Sequence, residues 1–188
     1  MKRLLCVLMV LPMLLLSLSA AYAEDINWLE VFPKPMDITL SELEENLSAY
    51  SSLMATSDLS IDLKLGASHP REGDLSSCYC YFTDEMYLEV QFDPVDEKVH
   101  SVRMFLNVED LTIKEMTAQA ENMGVIILGL VMTVPGTLPS ADAVKVLNTL
   151  FADLSAGEGA SKARRGGYKF SVGSDLDNPC MYFIISKE

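Results

Sequence analysis

CYCYFTDEMYLEVQFDPVDEKVHSVRMFL, Cys78 to Leu106, is the stretch that decides the fold. In its middle, Leu88, Val90 and Phe92 alternate with Tyr87, Glu89 and Gln91, a period of two that puts one row of side chains in a core and the other outside it. Residues 86–92 are therefore a predicted strand. The triplet Thr83-Asp84-Glu85 is short enough for a hairpin turn and joins it to a strand over residues 78–82. On the other side, residues 93–98 break the pattern with Asp93-Pro94, and residues 99–106 resume it with Val102, Met104 and Leu106 on one face. Upstream, Leu59, Ile61, Leu63 and Leu65 alternate with Ser60, Asp62 and Lys64, so a further strand is expected before the polar loop 66–77. Four successive strands joined by turns form an antiparallel meander.

Both flanks of this meander read as helices. Thr39 and Glu42 make a capping box with Ile38 and Leu43 as its staple, and a helix to about Leu53 buries Leu40, Leu43, Leu47, Tyr50 and Met54. Glu42, Glu44, Glu45 and Asn46 are expected to face water. Downstream, Thr112 and Glu115 repeat the box, with Leu111 and Met116 as staple, and the helix they start should end before Pro135. Its segment Val125 to Val134 is apolar except for Gly129 and Thr133, which makes it a central core helix; Gly124 and Gly129 admit a close neighbour. Ser140, with Asp142 in the first turn, caps a third helix to about Leu154, whose buried stripe is Val144, Leu147, Phe151 and Leu154. Residues 157–167 hold four Gly and three basic residues and are expected to form a mobile loop, followed by a hairpin of strands 168–172 and 180–186. The order is one helix, four strands, two helices and two strands. This segregated pattern implies an α+β fold: a single two-layer domain with an antiparallel sheet of about six strands, covered on one face by about three helices.

At the N-terminus, Lys2 and Arg3 precede the uncharged run 4–16, and Ala21-Tyr22-Ala23 follows. That is the pattern of a cleaved signal peptide over residues 1–23, leaving 24–188 as the domain, and its short two-cation start points to a periplasmic address, with free secretion as the alternative. Cleavage leaves no segment long enough to span a membrane stably. Removing the peptide takes away two of 14 basic residues and none of 27 acidic ones, so the net charge falls from -13 to -15. Such a surface repels phosphate backbones and anionic headgroups, which argues against nucleic-acid binding and electrostatic membrane docking.

Of the four cysteines, Cys6 lies in the signal segment. Cys78 and Cys80 share a strand face and bridge each other poorly, so a disulfide in an oxidising compartment should join Cys180 to Cys78 or Cys80. Neither His69 nor His100 has the close companions that zinc requires, and no metal or other cofactor is expected. The acidic groups Asp93, Asp96 and Glu97, and Asp175, Asp177 and Asn178, have oxygen ligands at loop spacing but read as turn chemistry; in the second, Cys180 stands where a calcium loop needs Gly. Ser68-His69 lacks the glycine frame of a nucleophile elbow, and no phosphate-binding loop is present, so no catalytic residue is assigned. Against this acidic background Lys162, Arg164, Arg165 and Lys169 gather four of 14 basic residues around Gly166-Gly167, a positive island able to contact a carboxylate or other anion. The reading by exclusion is an exported, non-catalytic interaction module for another protein or an envelope component. Two alternatives stand beside it: a periplasmic hydrolase using Ser68 or acidic residues, and an assembly subunit that buries the Val125 to Val134 helix between protomers.

Overall fold

The computed structural model describes residues 33–54, 63–70, 75–134, 138–155, 160–175 and 179–188. Three helices, α1 (Leu40–Met54), α2 (Ile113–Thr133) and α3 (Ser140–Ser155), accompany seven strands: β1 (His69–Pro70), β2 (Ser76–Tyr81), β3 (Met86–Phe92), β4 (Val99–Asn107), β5 (Ala160–Arg165), β6 (Tyr168–Asp175) and β7 (Cys180–Lys187). All pairs are antiparallel in the order β1-β2-β3-β4-β7-β6-β5. The α+β two-layer fold is as expected, with one strand more than the predicted six.

Register settles which side chains share a face. Cys78, Val90, Val102, Ile185 and Phe170 lie in one cross-strand row, and Cys80, Leu88, Met104, Phe183 and Val172 in the next. These rows are buried together with Leu43 and Leu47 of α1, Ile126, Ile127 and Leu130 of α2, and Val146, Leu150 and Phe151 of α3. α2 is the central helix, packed between α1 and α3. Its apolar segment is buried within the chain from Val125 to Val131 apart from the half-buried Leu128, as its all-round hydrophobicity requires. Gly129 faces the Tyr50 ring, whose hydroxyl donates to the Val125 carbonyl at 3.1 Å.

Both capping boxes form. The Thr39 N–H donates to Glu42 Oε2 at 2.8 Å and the Glu42 N–H to Thr39 Oγ1 at 3.2 Å; Thr112 and Glu115 make the same reciprocal pair. Hydrogen bonds from the Thr112 side chain and backbone hold the Glu115 carboxyl below the usual carboxylate range. A lowered folded-state pKa means that this stabilisation is complete at neutral pH and is lost as pH falls through the folded value. Thr112→Ala is expected to cost about 1 kcal/mol. The melting-temperature gap between the parent and Glu115→Ala should be open at pH 7 and close in acid; a gap independent of pH would contradict the carboxylate's role.

Four expectations need correction. Among residues 59–65, positions 59–62 lie outside the described residues, and 63–68 form no strand although Leu63 and Leu65 are buried and Lys64 is exposed. The alternation is real, but the Leu63 N–H goes to Ser51 Oγ and the Gly66 N–H to the Tyr79 carbonyl, so a strand ladder does not form there. Its place at the sheet edge is taken by the two-residue β1. Val144, assigned to the buried stripe of α3, is 51% exposed, because the stripe passes through Ala143, Val146 and Leu150 instead. Asn46, expected in water, is half-buried and donates to the Thr133 carbonyl at 3.3 Å, satisfying an end carbonyl of α2. Finally, the expected mobile loop is β5 from residue 160 onward, followed by Gly166 and Gly167. The signal segment and residues 157–159 lie outside the described residues.

Candidate functional site

The hairpin β5-β6 positions the basic island. Arg165 and Tyr168 are its last paired residues, and the two residues between them, Gly166 and Gly167, have φ of 61° and 80°. A two-residue turn of this left-handed type matches the twist of a tight hairpin, and glycine adopts it without steric cost. Lys162, Arg164 and Arg165 are therefore held on an edge strand, with Lys169 across from Arg164 on β6.

The register divides the four cations. Lys162, Arg164 and Lys169 fall on the far face of the sheet, which carries none of the three described helices, while Arg165 falls on the helix side. There Arg165 Nη2 reaches Asp142 Oδ1 at 2.9 Å, joined by Lys145 Nζ at 3.1 Å, and the two cations hold the Asp142 carboxyl below its usual value, Arg165 contributing most. Nearby, Ser161 Oγ donates to Asp153 Oδ2 at 2.6 Å, so α3 is tied to β5 at two points. On the far face, Arg164 and Lys169 form a like-charge cross-strand pair, an unfavourable arrangement unless an anion offsets it. The Glu188 carboxylate does so, 2.5 Å from Arg164 Nε. Exposed ion pairs of this kind contribute only about 0–1 kcal/mol, so a competing carboxylate can exchange with Glu188 at little cost.

The remaining candidates are scattered. Asp93 Oδ1 accepts from the Val95 N–H at 2.7 Å and Asp96 Oδ1 from the Lys98 N–H at 2.9 Å, which is turn chemistry. Asp177 and Asn178 lie outside the described residues. Among the described residues no group of three or more His, Cys, Asp or Glu side chains converges as a metal site. Ser68 and His69 are both exposed, and His69 packs beside Tyr79 with ring centroids 6.0 Å apart. His100 is half-buried, with Nδ1 2.8 Å from the Pro33 carbonyl oxygen.

The expected disulfide does not form: Cys180 is joined to neither Cys78 nor Cys80. β2 and β7 are three strand spacings apart, about 14 Å, where a bridge needs Cα atoms within about 7 Å. Cys180 also pairs with Asn107 and Asp175 on the far face, whereas Cys78 and Cys80 point into the core. Burial pushes the Cys78 thiol up to about 12. Cys78 should therefore resist maleimide at pH 7.5 in the folded protein and label fully in denaturant without reductant, as read by mass spectrometry. An intact Cys78 disulfide in the denatured, unreduced sample would contradict the topology.

Sequence reasoning missed the far-face aromatics. Tyr81, Tyr87, Phe105 and Tyr182 occupy one cross-strand row, with ring centroids 5.8 Å apart for Tyr81 and Tyr87 and 5.2 Å for Tyr87 and Phe105. Beside them the buried Glu89 accepts from Ser77 Oγ at 3.0 Å and from the Tyr79 hydroxyl at 3.2 Å, and lies 3.8 Å from Arg103. The signal was present in the alternation itself, where Tyr79, Tyr81 and Tyr87 fill three of the non-core positions of β2 and β3. Their cross-strand contacts are a recognised source of sheet stability. No protein-family model, curated protein or solved structure matches this chain.

Proposed function

We propose that the chain is an exported, non-catalytic interaction module, periplasmic in address, that contacts an acidic partner through Lys162, Arg164, Arg165 and Lys169. The observation that carries this reading is the clustering of Lys162, Arg164 and Lys169 on one face of the β5-β6 hairpin, with Arg165 next to them on the other, a segment in which residues 160–169 contain no acidic side chain, within a chain of net charge -13. A rigid hairpin presents them without the ordering cost that a loop would carry. Arginine's forked guanidinium suits carboxylates, and both guanidiniums already engage one.

The test is calorimetric titration with polyglutamate. The parent should bind with an affinity that falls as salt is added, and Arg164→Ala/Arg165→Ala should bind about tenfold more weakly or worse, with melting temperature nearly unchanged because only exposed pairs are lost. Equal binding by the double variant would contradict the assignment.

A further inference from the structure

We propose that Glu188 is an internal competitor of the acidic partner: its side chain occupies Arg164, and the partner's carboxylate displaces it to dock. The proposal rests on the acidic-partner reading above and adds to it how access to that site is regulated.

Alternation along β7 decides where Glu188 lies. Tyr182, Ile184 and Ser186 are in register with Phe105, Arg103 and Ser101 on the far face, so Glu188, two residues beyond Ser186, falls on that face as well. Arg164, Lys169 and Ser186 form one cross-strand row there, which sets Glu188 beside the row that carries the two cations. Lys187, on the other face, directs its amine to Asp37 Oδ1 at 2.6 Å instead. The main chain fixes the position: the Glu188 N–H donates to the Gly167 carbonyl at 2.9 Å, one step past the last β6-β7 pair, Tyr168 and Lys187. From this anchor the carboxylate reaches Arg164 Nε at 2.5 Å.

An occupant tethered in this way acts at a high effective concentration that a ligand from solution must match. Its bond is nevertheless exchangeable. The side chains of Arg164 and Glu188 are 68% and 44% exposed, and an exposed pair shifts an equilibrium by no more than about fivefold. Asp142, the other carboxylate of the island, is held by Arg165 and Lys145 together and exchanges less readily. A single carboxylate in solution competes poorly with the tethered Glu188, whereas an acidic segment engages Arg164 and Lys169 at the same time. The internal contact therefore selects for an acidic segment over a lone carboxylate.

The test is calorimetric titration of polyglutamate into four forms of the whole protein: the parent, Glu188→Gln, Arg164→Ala and Arg164→Ala/Glu188→Gln. Removing the competitor should tighten binding about two- to fivefold when Arg164 is present. The same change should alter binding by less than about 1.5-fold once Arg164 is alanine, because the gain acts through that side chain. Equal tightening in both backgrounds would show an effect of net charge alone and would overturn the proposal. Unchanged binding by Glu188→Gln, with the parent binding polyglutamate, would overturn it too and leave the acidic-partner reading standing. Binding by neither the parent nor Glu188→Gln would overturn that reading and the competition with it. The contact itself is read without ligand from the Arg164 side-chain Nε–H resonance in NMR spectra, which should move upfield in Glu188→Gln as a charge-assisted hydrogen bond is lost. An unmoved resonance would overturn the occupancy.

Discussion

Phe183→Ala should destabilise the protein by about 3–5 kcal/mol, a large part of the total stability of an ordinary domain. Phe183 has 0% exposure and lies on β7, which is inserted between β4 and β6 with Met104 and Val172 as its cross-strand neighbours. Removing the ring leaves a cavity that close packing from the helix layer cannot readily fill. Urea unfolding followed by circular dichroism measures the loss, and Tyr81→Ala provides the contrast, because Tyr81 is 70% exposed and should lose about 1 kcal/mol or less of cross-strand contact. Similar costs for the two variants would mean that the C-terminal strand is not central to the sheet.

Gly129→Val is expected to be the second most damaging of these changes, at about 1–3 kcal/mol of overpacking. A β-carbon at position 129 would lie 2.7 and 2.8 Å from Cδ1 and Cζ of Tyr50, and the ring cannot simply swing away because its hydroxyl is bonded to the Val125 carbonyl on the same helix. Helix propensity alone predicts the opposite sign for a modest replacement, since glycine is about 1 kcal/mol worse than alanine in a helix interior. Destabilisation by Gly129→Ala would therefore already favour the packing account. In a double-mutant cycle, Tyr50→Leu should relieve much of the Gly129→Val penalty. Additive losses would show that the Tyr50 contact is not the reason for glycine.

Much of this architecture was legible because it depends on local periodicity. Thr39-Glu42 and Thr112-Glu115 marked two helix starts within a residue, and the alternation from Cys78 to Leu106 located β2, β3 and β4. What local pattern could not supply was pairing. Leu63 and Leu65 alternate like a strand, yet their stretch gives backbone donors to Ser51 and Tyr79, partners that no periodicity specifies. Nor did spacing reveal that β7 lies between β4 and β6, and the proposed disulfide failed on that point, because it linked residues three strands apart and on opposite faces. In the candidate site the four cations were legible as a cluster, but Gly166-Gly167 read as loop flexibility when it is a left-handed hairpin turn that makes its neighbours a strand. That difference changes the chemistry, since a strand fixes the face on which each cation lies.

The central claim is that this hairpin is where an acidic partner docks. Amide chemical-shift mapping by NMR during titration with polyglutamate tests it most directly, because each backbone N–H reports its own surroundings. The account predicts saturable shifts concentrated on residues 160–169 and Glu188, with β1 to β3 unaffected. Shifts centred on the tyrosine row of β2 and β3, or none at saturating polyglutamate, would contradict it.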